Sequence, residues 1–118
     1  MRDHKKLRAF QLADELTLMV YQATRTFPAS EAYGLTSQMR RAAVSIPSNI
    51  VEGCAREGQA DYLRFLGIAF GSLRELHYQC DLSCRLGFLK KEKQQLDDQL
   101  EETERVLGSL IRALRKQP

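Results

Sequence analysis

The chain of 118 residues contains few of the residues that interrupt helices or cross-link small folds. It has no tryptophan, three prolines and seven glycines, so long helices are permitted. Its three cysteines are an odd number and give no disulfide framework, which favours a reduced, cytoplasmic setting. The longest uncharged apolar run covers residues 65–73, far short of the ~20 residues that a membrane span needs. The sequence therefore predicts a single domain over residues 1–118 that does not associate with membranes.

The sequence also has little of the chemistry that enzymes use. Its two histidines offer no readable set of nucleophile, base and orienting group, and its glycines form no phosphate-binding loop. Four residues of kinds that can bind a metal ion lie on one strip of the predicted third helix: His77, Cys80, Asp81 and Cys84. Structural zinc sites usually draw their ligands from two elements, and Cys80 also falls on the core face, so we interpret the strip as structural. We expect no enzyme activity, no cofactor, no metal and no small-molecule substrate.

Apolar residues recur at helical spacing in four stretches, and no stretch alternates with the period of a strand. The stretches cover residues 12–27, 35–56, 59–85 and a last one that begins near residue 91. Residues 1–8 form a basic leader that we expect to be loosely ordered. The sequence predicts an all-α fold, an up-down-up-down four-helix bundle.

The predicted second helix has a polar stripe beside its core face at about 100° per residue. Its apolar core face contains Leu35, Met39, Ala42, Ala43, Ile46 and Ile50. The stripe contains Gln38, Arg41, Ser45, Asn49 and Glu52, and we expect Ser72 and Glu75 of the third helix among its partners. We predict a hydrogen-bonded polar network inside the protomer or at its interface.

The second and third helices have more apolar surface than a bundle core needs. Each helix of a four-helix bundle buries one stripe, and a helix that is apolar on a second face is buried on that face too. The additional residues are Val44, Pro47 and Val51 on the second helix, and Leu63, Phe70 and Tyr78 on the third. These six residues are candidates for an interface between subunits of a homo-oligomer.

Pro47 lies in the middle of the second helix and removes one backbone hydrogen bond. Either the helix kinks there, or a new helix begins with proline in its first turn. We predict a kink, because the faces keep their helical phase across the proline. Gly67 and Gly71 of the third helix suggest a close approach by another helix, although chance would also explain two glycines.

Basic residues cluster in three places, although the net charge of the chain is only +3. The candidates for contacts with RNA or DNA phosphates are Arg2, Lys5, Lys6 and Arg8 in the leader, with Arg40 and Arg41 in the second helix. The third cluster, Lys90, Lys91 and Lys93, precedes a last helix whose charges follow the helix dipole. For all three clusters, surface or network charges are the competing interpretation.

The middle of the chain resembles a known bacterial family. Residues 33–53 read YGLTSQMRRAAVSIPSNIVEG, and a second block contains DYLRFL at 61–66, GSL at 71–73 and EL at 75–76. These segments resemble the signature of the four-helix-bundle family named for proteins encoded in intervening sequences of 23S rRNA genes. The resemblance extends from about Leu7 to Leu110.

The resemblance implies an up-down bundle that assembles into a ring-like homo-oligomer, a pentamer, and it brings no catalytic residues. It also implies an association with RNA or DNA, from gene context and from a similar bundle that accompanies retroelement reverse transcriptases. Two positions depart from the family pattern: Phe70 replaces a frequent basic residue, and Lys90 replaces a serine-like helix cap. We expect a non-enzymatic oligomeric scaffold that binds nucleic acid. The alternative is a protein–protein interaction module with no nucleic-acid role.

Overall fold

The computed structural model describes residues 2–118 and contains helices and turns, with no strand among these residues. The helices are α1 (Arg8–Ala23), α2 (Leu35–Cys54), α3 (Gln59–Arg85) and α4 (Lys93–Arg115). Short 3-10 turns precede α1 at His4–Lys6 and connect α1 to α2 at Thr24–Thr26 and Ala29–Glu31. The prediction of an all-α four-helix bundle is confirmed. None of the described helices is both long enough and apolar enough to cross a membrane.

Contacts between consecutive helices pair residues in opposite order along the chain. The pairs are Thr17–Ala43 between α1 and α2, Thr24–Arg40 between the turn after α1 and α2, Ser45–Ser72 and Met39–Ser83 between α2 and α3, and His77–Glu104 and Asp81–Lys93 between α3 and α4. The leader, the start of α3 and the ends of α2 and α4 therefore lie at one end of the bundle. The two ends of the molecule consequently receive different sets of side chains.

The core consists of the apolar faces that the helical spacing predicts. All six residues of the predicted α2 core face are buried, and Leu66, Leu73 and Leu76 of α3 have no exposed surface. The buried stripe of α4 is narrower than those of α2 and α3. Leu100 and Leu107 at its centre are buried, whereas most of the other faces of α4 are charged. One stripe per helix thus closes the bundle, as expected for this architecture.

Pro47 lies inside α2, which is continuous from Leu35 to Cys54. Proline has no N–H to donate to the carbonyl of Ala43, four residues earlier. The Thr17 hydroxyl of α1 lies 3.0 Å from that carbonyl and 2.9 Å from the carbonyl of Ala13. A hydroxyl from a neighbouring helix can therefore satisfy the carbonyl that proline leaves free. The kink at Pro47 stays a prediction.

Helices α2 and α3 approach each other closely at Gly53, which the sequence does not single out. A Cβ atom at this position would lie 3.0 Å from the Phe65 Cβ and 3.2 Å from the Tyr62 ring. In contrast, Cβ atoms at Gly67 and Gly71 would meet no atom within 4 Å, so these glycines serve no close contact within the protomer. The interpretation of the two glycines as packing positions is therefore wrong for the protomer.

The helix ends differ from the predicted ends by a few residues. The second helix ends at Cys54 rather than Arg56, and α4 is preceded by Glu92 as its N-cap, so Lys90 does not occupy the cap position. The end of α3 is as predicted, because Gly87 follows it with a φ of 82°. This left-handed conformation strongly favours glycine and stops the helix.

Candidate functional site

The leader lies against the bundle in this structure. Asp3 accepts a hydrogen bond from the Lys5 backbone N–H at 3.1 Å and so caps the turn at His4–Lys6. The Arg2 guanidinium lies 4.0 Å from the centre of the Tyr62 ring and donates to the Arg56 carbonyl at 2.7 Å. The sequence predicts a loosely ordered leader, whereas here its residues 2–7 contact α2 and α3; Met1 lies outside the described residues.

Two buried aromatic rings at the start of α3 support three arginines. Tyr62 lies beneath Arg2, and Phe65 has Arg56 at 4.7 Å and Arg64 at 4.5 Å from its ring centre. A guanidinium over a ring face is attracted by the ring quadrupole while its edge remains able to donate hydrogen bonds. The rings therefore position positive charge without neutralising it.

The end of α4 contributes further cations to the same region. The Gln59 amide donates to the Leu114 carbonyl at 3.0 Å and to the Gln117 side chain at 3.1 Å, which holds the C-terminal segment beside the start of α3. We define the basic end as residues 2–8, 52–66 and 108–118. It contains nine lysines and arginines against four acidic residues, whereas the rest of the chain has nine against eleven. The whole positive excess of the protein therefore lies at this end.

Tyr62 is itself titratable, and its environment favours the neutral phenol. Burial, followed by the neighbouring Cys54, raises the pKa of Tyr62 to about 12. Burial likewise raises the pKa of the Cys54 thiol above its usual range. Both groups therefore stay uncharged at neutral pH and serve as apolar support for Arg2.

Arg40 and Arg41 lie at the other end of the bundle from the leader. Fourteen residues of α2 separate Arg40 from Cys54, which is about 21 Å of helix axis at 1.5 Å per residue. Arg40 donates to Thr24 and lies over the Tyr21 ring, whereas Arg41 is exposed. One protomer thus does not bring all six nucleic-acid candidates together. The leader contacts Arg56, and the same end of the bundle holds Arg64, Arg112, Arg115 and Lys116, which sequence reasoning missed.

The third lysine cluster is partly neutralised. The Lys93 ammonium lies 2.9 Å from Asp81 and 2.6 Å from Asp97, and hydrogen bonds to these carboxylates raise its pKa above the usual range. Its neighbours Lys90 and Lys91 are exposed. The α3 strip of His77, Cys80, Asp81 and Cys84, interpreted as structural, does not converge as a set of ligands, because Cys80 is buried in the core. Ligand atoms of His77, Asp81 and Asp97 do lie within 4.8 Å of one another, and Lys93 already supplies a positive charge there.

Three of the seven predicted network residues form hydrogen bonds with one another in the protomer. The Ser45 and Ser72 hydroxyls lie 2.8 Å apart, and the Asn49 amide donates to the Ser45 carbonyl at 2.7 Å. The other four are exposed and form no side-chain hydrogen bond or ion pair among residues 2–118: Gln38, Arg41, Glu52 and Glu75. The protomer network is therefore smaller than predicted, because these four longer side chains reach solvent.

The six candidate interface residues form two separate patches. Val44, which is 40% exposed, borders the groove between α1 and α2, with Pro47 and Val51 half-buried along the same helix. Phe70 lines the groove between α3 and α4, and Tyr78, which is 58% exposed, lies further along α3. Phe70 and Leu63 also pack against the core. The patches lie on opposite sides of the α2–α3 pair, which helical spacing alone did not indicate.

The fold and the charge distribution define this chain as a helical-bundle protein with one strongly cationic end. It belongs to the 23S rRNA-intervening sequence protein family, which it matches over residues 5–109. The resemblance seen in the middle of the sequence is therefore confirmed over most of the chain.

A solved structure supports the same fold. The chain is similar to a protein of unknown function from the S23 ribosomal protein family of Bacteroides thetaiotaomicron, with a TM-score of 0.79 and 22% sequence identity. The similarity covers 88% of this chain and 95% of that protein. No protein of curated function matches the chain. At this level of identity the likeness establishes the bundle, while the function has to be argued from the surface.

Proposed function

We propose that this chain is a non-enzymatic, self-associating scaffold that binds RNA or DNA through its basic end, in the cytoplasm. The observation that carries the proposal is the convergence of nine cations at one end, three of them over the Tyr62 and Phe65 rings. Arginines held in this way can donate from their edges to phosphate oxygens. The family description refers to rRNA, which supports a nucleic-acid partner.

Self-association strengthens binding by a small protein whose total charge is low. One basic end offers only a few phosphate contacts, but a homo-oligomer repeats them on one assembly. Several weak sites that bind one polymer gain affinity through effective concentration. The expected binding is largely independent of sequence and depends steeply on salt, because phosphate contacts release counterions.

Two different apolar patches on one protomer support a ring. An interface that joins one patch to a different patch is heterologous, and a heterologous interface closes into a ring when the rotation between subunits allows it. The Val44 patch and the Phe70 patch lie on opposite sides of the α2–α3 pair, as such an interface requires. We propose a pentamer, the assembly that the family resemblance implies.

Replacing Phe70 by Glu tests the assembly. The charge should lower the mass measured by light scattering at micromolar concentration, while circular dichroism keeps its helical signal. Ile68→Glu is the matched control, since Ile68 is 43% exposed on the same helix and belongs to neither patch. A monomeric wild-type protein would contradict the scaffold proposal.

Fluorescence anisotropy with labelled RNA and DNA tests binding by the wild-type chain. We expect affinity to fall at least about tenfold between 50 and 200 mM salt, equally for unrelated sequences. If the intact oligomer bound neither RNA nor DNA at about 150 mM salt, where exposed charges are screened beyond ~8 Å, the protein–protein interaction alternative would replace this proposal.

A further inference from the structure

A second cationic groove lies between the end of α1 and the first half of α2, at the opposite end from the leader. Its volume is about 540 Å³ and it is open to solvent. Side chains that line it include Tyr21, Thr36, Ser37, Arg40, Arg41 and Val44. We name it the Tyr21–Arg40 groove. It combines two guanidinium groups, several hydroxyls and an aromatic ring.

Arg40 is fixed in this groove before any ligand arrives. Its Nε donates to the Thr24 hydroxyl at 2.9 Å, its Nη2 lies 3.4 Å from the Tyr21 carbonyl, and its guanidinium lies 4.7 Å from the centre of the Tyr21 ring. A planar group held in place loses little conformational freedom when a ligand binds. Arg41 is exposed beside it and forms no ion pair among the described residues. The groove thus has one fixed cation and one adaptable cation.

Two tyrosines, one in the groove and one beside it, have exposed aromatic rings that do not pack in the bundle core. Tyr21 is 40% exposed, and Tyr33, which follows the groove residue Ala32, is 100% exposed. An exposed aromatic side chain beside cations is the arrangement that proteins use to stack unpaired bases.

We infer that the Tyr21–Arg40 groove binds a single-stranded nucleic-acid segment, with a base stacked on the Tyr21–Arg40 pair and the adjacent phosphate on Arg41. This inference rests on the proposed nucleic-acid function and assigns the groove a separate task. The basic end attracts phosphates of any nucleic acid, whereas the groove selects unpaired segments. A duplex keeps its bases stacked and paired, so it offers phosphates to Arg41 but no base face to Tyr21.

Anisotropy titrations with a labelled single strand and with the same strand in a duplex test the inference. The wild-type chain should bind the single strand more tightly at the same salt concentration. Tyr21→Leu should weaken single-strand binding about tenfold and change duplex binding less than about twofold, because stacking on one aromatic ring is lost. Tyr21→Phe is the matched control, since it keeps the aromatic ring and removes only the hydroxyl, and it should leave both affinities unchanged.

Arg40→Lys tests whether single-strand binding needs the planar guanidinium group or only its positive charge. It keeps the positive charge but removes the planar group, so single-strand binding should weaken while duplex binding is retained. Val44 belongs both to the groove and to one predicted interface patch, so the oligomer mass of each variant is measured by light scattering in parallel. An unchanged mass shows that a loss of affinity arises in the groove.

The outcomes separate this inference from the proposed function. Equal affinity of the wild-type chain for single strand and duplex, or equal weakening of both in Tyr21→Leu, would overturn the inference and leave the basic-end proposal intact. Tighter binding of a phosphopeptide than of the single strand would also overturn it. The absence of binding to either nucleic acid would overturn both proposals.

Discussion

The two ends of the bundle contain the same kinds of charged residues but place them against different partners. At the basic end, Arg2, Arg56 and Arg64 lie over aromatic rings, and the one ion pair found there among described residues joins Arg64 to Asp61. At the opposite end, formed by residues 24–41 and 79–98, seven cations face five acidic residues, and Lys93 bridges two carboxylates. Carboxylates partly neutralise Lys93, whereas the arginines that lie over rings, Arg40 over Tyr21 included, keep their charge available for a ligand.

The middle of the bundle makes this contrast stronger. Acidic side chains there hold cations in pairs, Arg74 with Glu104 and Arg105 with Glu102, and His77 also binds Glu104 at 2.7 Å. A polyanion is therefore attracted mainly to the two ends and most strongly to the basic end. The net charge of +3 does not reveal this uneven distribution of charge along the bundle.

The largest expected effect on stability comes from Gly53, which lets α2 approach the two rings of the basic end. In Gly53→Ala, the new methyl group would lie 3.0 Å from the Phe65 Cβ and would displace the rings or the helix. We expect a loss of about 1–3 kcal/mol in the free energy of unfolding, as for other overpacked sites. Chemical denaturation measures it.

Gly71→Ala is the control for this change, because a methyl group there meets nothing within 4 Å. Replacing glycine by alanine in a helix interior should stabilise the protein by up to about 1 kcal/mol. If both variants changed stability by the same amount and in the same direction, the close approach at the basic end would be wrong.

The next effect is a pH dependence at Tyr62. Its pKa in the folded protein is about 12, above the ordinary value of 10, so folding favours the neutral phenol. The resulting stability is fully present below pH 10 and is lost as the pH rises from 10 toward 12, at about 1.4 kcal/mol per pH unit. When the free energy of unfolding is plotted against pH, the curve of the wild-type chain should therefore fall relative to that of Tyr62→Phe between pH 10 and 12. Below pH 10 the two curves should run parallel. Curves that stayed parallel up to pH 12 would show that burial does not hold the phenol neutral.

A smaller effect is expected from Lys93 at the opposite end. Lys93→Met leaves Asp81 and Asp97 without their shared partner. Because the Asp81 side chain is 51% exposed, solvent screens the interaction, and we expect a loss of only about 1 kcal/mol, shrinking at high salt. Lys91→Met, at an exposed position, should change the free energy of unfolding by less than about 0.5 kcal/mol. Equal effects of the two changes would contradict the role of Lys93 as a bridge.

The helical fold could be predicted from the sequence because periodicity is a local signal. The α2 core face is one example, since all its members are buried. The end of α3 at Arg85 is a further example, because it depends on residues a few positions apart.

The composition of the candidate site could be predicted only in part, because it depends on which helix ends meet. The leader cations were identified from the sequence, but Arg56, Arg64 and Arg112 join them only through antiparallel packing. Tyr62 and Phe65 are buried with the apolar residues of α3, and no local pattern shows that arginines cover them. Likewise, Thr17 meets the carbonyl freed by Pro47 from a different helix, 26 residues away in sequence.

The most direct test of the account compares two sets of three charge removals by the salt dependence of RNA binding. In the basic-end variant, Lys5, Lys6 and Arg8 are each replaced by Gln; in the control, Arg85, Lys90 and Lys91 are each replaced by Gln at the opposite end. The basic-end variant should bind all sequences more weakly and lower the salt slope by about two to three units, roughly one per lost phosphate contact. The control should bind with nearly the wild-type slope. Equal flattening in both variants, or an unchanged slope in the basic-end variant, would contradict binding through the basic end.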